Sequence, residues 1–270
     1  MENLTPAGVF STAYDEYHAG AWRLVAGAVT DEQLVRVHVN GDEFVRLMCT
    51  PRELDELALG FLRAEGLIAN LADVRRVVVC PSGACVEVWL RHDVSLPGAA
   101  SRVITSGCGG GLTFDDLSGR HTPLSASAEV TPEQLFARMH DLYQAAQLYG
   151  MTQGIHASAL TDGAHLVLVA EDVGRHNTID RLWGKALKQG LNTEGLILLA
   201  TGRISSEMLS KAAKMGAPIV VSRTSPTSLS VRLGRAWNIT VVGYVRHHTL
   251  RVYTAPERIR KPLTHLSPVG

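Results

Sequence analysis

The chain has 270 residues, enough for one large α/β domain or two smaller ones with cores of their own. Its 26 basic and 26 acidic side chains cancel, so no long-range field draws it to nucleic acid or to an anionic membrane, and a bound anion must be held by local clustering. No apolar run reaches membrane-spanning length, the first eight residues have neither a basic start nor an apolar core, and four cysteines (Cys49, Cys80, Cys85, Cys108) are too few and too irregular for a secreted disulfide framework. A soluble, cytoplasmic protein of a reducing compartment is expected.

In chain order, residues 1–20 lack periodicity and read as a loose lead-in. Residues 24–29, 34–39 and 44–48 are short valine-rich runs, and Asn40-Gly41 between the last two is a type I′ hairpin signal. Thr50-Pro51-Arg52-Glu53 has the form of a capping box with proline at the first helical position, and Leu54, Leu57, Ala58, Phe61 and Leu62 follow at helical spacing. Residues 74–80 and 85–90 read as a second hairpin around Pro81-Ser82-Gly83-Ala84, so residues 21–92 form a small β-rich domain with one helix. Cys80 and Cys85 flank its turn and are expected to be structural, because Cys-x4-Cys without a second pair or histidines is poor zinc spacing.

Residues 93–128 are rich in Gly, Ser and Pro and behave as a linker that carries function. Within it, Thr105-Ser106-Gly107-Cys108-Gly109-Gly110-Gly111 cannot hold a helix or a central strand, because glycine loses the most backbone freedom on ordering and packs nothing. A thiol on such an arm is expected to be exposed and to reach a partner.

A second domain is expected over 129–270. Thr131-Pro132-Glu133-Gln134 repeats the capping grammar ahead of a helical stripe of Phe136, Met139, Tyr143, Ala146 and Tyr149. Strands at 165–170, 196–200, 218–221, 239–245 and 250–253, with helices at 178–188, 206–215 and 226–237, predict an α/β layer with a largely parallel sheet. The fold class is α/β, or α+β over the whole chain.

In open α/β sheets ligands lie beyond the carboxyl ends of the strands. The segments there are 171–177, 201–207, 222–225 and 246–248, and they carry Arg175 with His176, Arg203, Arg223 and Arg246 with His247 and His248. Four guanidiniums around one crevice imply a shared anion, since arginine's fork suits phosphate oxygens. A pairing of each arginine with a neighbouring carboxylate, such as Arg175 with Asp172, is the plainer alternative. A zinc deaminase would need His-x-Glu and Pro-Cys-x-x-Cys, but His156-Ala157-Ser158 has serine at the acid position and no cysteine follows Cys108. Walker and dinucleotide loops are also missing, and no metal ligands are assigned.

Gly154 through Leu160, Glu171-Asp172-Val173-Gly174-Arg175-His176-Asn177-Thr178-Ile179-Asp180, Gly202-Arg203 with Ser206-Glu207-Met208 and Lys211-Ala212, and residues 222–230 together resemble the formate dehydrogenase accessory sulfurtransferase family, FdhD. The resemblance implies a three-layer, cytidine-deaminase-like C-terminal domain without zinc. It also implies a carrier that accepts persulfide sulfur from a cysteine desulfurase and passes it to the molybdenum or tungsten bis(pyranopterin guanine dinucleotide) cofactor of formate dehydrogenase. A homodimer is implied as well. Many members have Cys-Gly-x-Cys where this chain has Cys108-Gly109-Gly110-Gly111, which leaves Cys108 to accept and deliver the sulfur alone.

Tyr244, Val245, Arg246, His247, His248 and Thr249 are expected to meet the guanine dinucleotide, Arg246 gripping a diphosphate while the rings and donors face the purine. A non-catalytic carrier or chaperone for the same cofactor is the alternative reading, and a nucleotide hydrolase of deaminase ancestry a more distant one.

Overall fold

The computed structural model describes residues 6–94, 103–104, 121–125 and 128–260. The segment read as a loose lead-in is instead half of a long hairpin: β1 (Val9–His18) pairs antiparallel with β2 (Ala21–Thr30) through a turn at Ala19-Gly20, both with positive φ. No periodicity announced it because neither face of most of the hairpin is buried. Phe10, Tyr14, Tyr17, Trp22 and Leu24 are all exposed, so nothing selects alternation of polar and apolar residues. Residues 24–29 accordingly pair with β1 and stand apart from the small sheet they were expected to begin.

That sheet has five strands in the order β5-β6-β3-β4-β7, formed by β3 (Gln33–Val39), β4 (Asp42–Cys49), β5 (Val74–Val79), β6 (Cys85–Leu90) and β7 (Val103–Ile104). The β3–β4 turn is Asn40-Gly41, at φ 52° and 96°, as the type I′ signal required. One sheet face, with Val35, Val37, Val39, Val45, Leu47, Val86 and Val88, packs on Leu57, Phe61 and Leu62 of helix α1 (Leu54–Ala64). The expected capping box does not form. Glu53 is the N-cap, in a left-handed conformation and without a side-chain cap, because Thr50 is engaged elsewhere: its hydroxyl accepts from the Val173 amide at 3.0 Å. Cys80 and Cys85, expected to be structural, are joined as a disulfide across the β5–β6 turn with their Cα atoms 5.3 Å apart. The antiparallel ladder beside the turn supplies that spacing.

The C-terminal unit has three layers. Its sheet runs β13-β12-β11-β10-β8-β9, from β8 (His156–Thr161), β9 (Leu166–Asp172), β10 (Ile197–Ala200), β11 (Ile219–Ser222), β12 (Thr240–Arg246) and β13 (Thr249–Val252). Leu198, Ala200, Val220 and Val241 face helices α4 (Arg175–Gln189), α5 (Ser206–Lys214) and α6 (Ser228–Ala236). Ile197, Leu199, Ile219, Val221 and Val242 face Leu135, Met139 and Leu142 of α2 (Pro132–Ala145), which begins with the predicted Thr131 capping box. The sheet is mixed rather than largely parallel. Only β10, β11 and β12 run parallel, joined through α5 and α6, whereas tight turns at Asp162-Gly163 and His247-His248 force β8–β9 and β12–β13 to be antiparallel.

The two units are held together by buried polar contacts and by a close helix crossing. Arg181, fully buried on α4, donates to Asp172 and to the carbonyls of Thr50, Arg52 and Glu53. Where α1 crosses α4, a Cβ on Gly60 would lie 1.7 Å from the Asp180 carbonyl oxygen and one on Gly184 1.9 Å from that of Glu56, so only glycine lets the backbones approach this far. Among the described residues no helix is long and apolar enough to cross a membrane.

Candidate functional site

The register of the C-terminal sheet puts every candidate loop on one edge. Ala200 at the end of β10 lies beside Ser158 near the start of β8 and beside Ser222 at the end of β11, and His156 at the start of β8 lies beside Asp172 at the end of β9. The loops are stitched side by side. Ser222 Oγ donates to the Gly202 carbonyl at 2.6 Å, the Ile204 amide to Ser225 O at 3.2 Å, the Tyr244 amide to Thr224 O at 3.1 Å, and Arg246 Nε to Arg223 O at 3.3 Å.

Most of the Glu171–Asn177 motif builds this edge rather than facing a ligand. Glu171 accepts from the Leu148 and Tyr149 amides at 3.2 and 2.8 Å, capping a short helix α3 (Gln147–Thr152). That cap explains why the helical stripe read as continuous through Tyr149 breaks at Ala146. Asp172 accepts from the Thr50 and Gly174 amides, Asn177 Nδ2 and Arg181, and Asn177 also donates to Met48 O. The predicted alternative of an Arg175–Asp172 pair is therefore not what forms; Arg181 takes that carboxylate.

Arg175 and His176, half-buried at the start of α4, form the inner part of this edge. His176 bridges Ser205 Oγ (2.9 Å, Nε2) and Glu207 Oε2 (3.0 Å, Nδ1). Glu207 is pulled two ways: burial raises its pKa, but the His176 hydrogen bond and the charges of Lys211 and Arg175 outweigh burial and hold it down at about 2. Arg175 packs against Gly202, where a Cβ would come within 3.0 Å of the arginine Cβ and 3.3 Å of His156 Nδ1. Burial and the neighbouring Arg175 and His176 push the His156 imidazole below its ordinary pKa, which favours the neutral ring. Its Nδ1 lies 3.4 Å from Thr201 Oγ1. Arg203 is exposed on the next loop.

The outer part is a cavity of about 380 Å3 lined by Arg223, Val245, Arg246, His247 and His248 together with Phe136, Met139, His140 and Tyr143 of α2. Arg223 stacks over Tyr143 at 5.2 Å, and its hydrogen bond to that phenol raises the pKa of an already permanent cation. Phe136 meets His248 edge-on at 6.2 Å. Of the expected dinucleotide segment, Tyr244 stands outside the cavity, stacked under Arg251 at 4.3 Å, and Thr249 closes the turn by donating to Arg246 O. The α2 residues carried a signal in the sequence, the stripe Phe136-Met139-Tyr143, but it looked like a core face alone. Cys108 lies outside the described residues. The edge as a whole offers guanidiniums, imidazoles and aromatic faces, a set suited to a phosphorylated ligand with a ring system.

The chain matches the FdhD/NarQ family over residues 30–260. It is 38% identical over 250 residues to the sulfur carrier protein FdhD of Bacillus subtilis (strain 168), covering 91% of this chain and 95% of that protein. It is 36% identical over 228 residues to the protein of the same name from Staphylococcus aureus (strain MRSA252), covering 83% and 86%. A crystal structure of a "putative formate dehydrogenase accessory protein" from Desulfotalea psychrophila superposes with a TM-score of 0.78 at 25% identity, over 93% of this chain and 99% of that one.

Proposed function

The chain belongs to the FdhD/NarQ family, and from that premise we propose that it is a sulfur carrier in the maturation of formate dehydrogenase. In the finer form of this reading Cys108 is the sulfur-bearing residue. Its thiolate attacks the outer sulfur of a cysteine desulfurase persulfide; a new S–S bond forms on Cys108 as the donor's S–S bond breaks and the donor cysteine leaves as thiolate. Release of the carried sulfur as sulfide then consumes two electrons, which a thiol reductant supplies. The recipient is the molybdenum or tungsten bis(pyranopterin guanine dinucleotide) cofactor, bound as cargo.

The observation that carries the proposal is the gathering of Arg175, Arg203, Arg223 and Arg246 on four loops of one sheet edge, two of them lining an aromatic cavity. A dinucleotide's diphosphate and purine call for that pairing of forked cations and rings. His156 lacks the companions of a deaminase zinc ligand, with Ser158 at the acid position and no cysteine after Cys108, and the Arg175 cation beside it opposes the charge of a metal ion. A homodimer is part of the proposal, supported by the exposed apolar residues of the β1–β2 hairpin.

The test is complementation of a formate dehydrogenase-deficient strain that lacks its own accessory protein. Wild-type chain should restore formate oxidation and Cys108→Ala should not. Full restoration by Cys108→Ala would replace this reading with the non-catalytic cofactor chaperone.

A further inference from the structure

The face of the five-stranded sheet opposite α1 carries a second chemical cluster. β3 and β6 pair in parallel, with His38 opposite Glu87 and Arg36 opposite Cys85. The alternation that buries Val86, Val88 and Leu90 against α1 leaves Cys85 and Glu87 half-buried on the other face, beside His38. One ligand atom each from His38, Cys85 and Glu87 all lie within 4.8 Å of one another, and Cys80 Sγ is bonded to Cys85 Sγ. His38 Nδ1 lies 2.8 Å from Glu87 Oε1, so an imidazole and a carboxylate already face one another beside the sulfur.

We propose that reduction of the Cys80–Cys85 disulfide opens a binding site for a divalent cation of the zinc class, with Cys80, Cys85, His38 and Glu87 as its four ligands, and that oxidation of the pair closes it. Reduction takes two electrons and two protons from a dithiol, which becomes a disulfide in turn, and the ion then displaces both thiol protons to solvent. Two thiolates, an imidazole and a carboxylate make a donor set typical of zinc. Bond lengths of roughly 2.0–2.3 Å separate tetrahedral ligands by about 3.3–3.8 Å. Side-chain rotations on adjacent strands reach that spacing by opening the 2.8 Å His38–Glu87 contact and drawing in separations that now extend to at most 4.8 Å. The charges also balance: two thiolates, one carboxylate and a divalent ion leave a single negative charge, and Arg36 stands opposite Cys85 to offset it. Arg46, the other nearby cation, is already held by Glu43 at 2.6 Å. Cys-x4-Cys alone has poor spacing for zinc, and the missing histidine comes from a strand that only the sheet pairing brings alongside.

The experiment uses the full chain carrying Cys108→Ser, reduced with a phosphine and titrated with Co2+ without oxygen. This background makes the outcome independent of the sulfur-carrier reading. Cys49 is buried and its thiol is pushed up to about 12, so it offers no thiolate to the ion. One equivalent of cobalt should produce thiolate-to-cobalt charge-transfer absorption and the strong visible bands of a tetrahedral site, and both should vanish after oxidation to the disulfide. His38→Gln should weaken binding at least ~10-fold, and the double variant Cys80→Ser, Cys85→Ser should lose the charge-transfer bands. No thiolate bands from the reduced protein, bands that persist in the double variant, or an unchanged titration in His38→Gln would each overturn the proposal.

Discussion

Replacing Arg181 with methionine keeps most of the side-chain volume and removes the cation that joins the two units. In the parent, Arg181 Nε and Nη2 reach Asp172 Oδ2 at 2.9 and 2.5 Å, Nη2 also reaches Thr50 O at 2.6 Å, and Nη1 serves the carbonyls of Arg52 and Glu53. Both side chains are wholly buried. Breaking a buried pair from one side costs about 3–5 kcal/mol, because the partner charge stays behind uncompensated, and here three carbonyls each lose one donor, although those of Thr50 and Glu53 keep the Arg52 and Leu57 amides.

The pH dependence gives a second, independent reading. Burial raises the Asp172 pKa and Arg181 opposes it, so the variant's carboxyl must rise further. A carboxyl whose folded pKa exceeds its unfolded one favours the fold when protonated; that stability is present below the unfolded pKa and is lost as pH rises through the folded one. The deficit of Arg181→Met should therefore be largest above the variant's raised Asp172 pKa and shrink as pH falls through it. Urea unfolding followed by the fluorescence of buried Trp183 on α4 reads both effects. A loss below about 1 kcal/mol, or a deficit that grows as pH falls, would refute the assignment of Arg181–Asp172 as the tie.

Gly60→Ala places a methyl 1.7 Å from the Asp180 carbonyl oxygen, so α1 and α4 must part by about 1.5 Å to regain ordinary contact. A helix-propensity gain of about 1 kcal/mol does not offset this, and a net loss of about 2 kcal/mol or more should appear in denaturant unfolding. For Glu207→Gln, the parent carboxyl sits at about 2, below its ordinary value, so its contribution is present above the unfolded pKa and lost as pH falls through about 2. The variant should be less stable at neutral pH by up to about 3 kcal/mol, and the two unfolding curves should converge in acid. Arg246→Ala should weaken binding of GDP, used as a fragment of the cofactor, by about 1.5–3 kcal/mol in calorimetry. Unchanged affinity would remove the β12–β13 turn from the site and leave Arg175, Arg203 and Arg223 as the anion ligands.

What could be read from the chain depended on how local the cause was. Asn40-Gly41 and Thr131-Pro132-Glu133-Gln134 specify their turn and helix start through neighbours within four residues, and both form as expected. Thr50-Pro51-Arg52-Glu53 has the same grammar but is overruled from 123 residues away, where the Val173 amide takes the Thr50 hydroxyl. His156–Thr161 gave no strand signal, since small and polar residues fill it, and it is held by partners on both sides. Most of the β1–β2 hairpin beyond Val9 and Ala28 is not buried against a face and so left no alternation to detect. The candidate site followed from a topological rule, that ligands gather where α/β strands end, and the four arginine loops do share that edge. The sequence did not reveal the division of labour inside Glu171–Asn177, where Glu171, Asp172 and Asn177 hold the scaffold while His176 bridges to Ser205 and Glu207 and Arg175 packs on Gly202. It also hid the α2 wall of the cavity, because a helix can present the same stripe to a core and to a pocket.

The central claim is that Cys108 carries sulfur. The direct measurement is intact mass with peptide mapping after incubation with a cysteine desulfurase and cysteine, on reduced protein. One added sulfur atom located on Cys108, and absent from Cys108→Ala, is the result this account predicts. Sulfur found on Cys80, Cys85 or Cys49, or a chain that gains none while the desulfurase turns over, would contradict it.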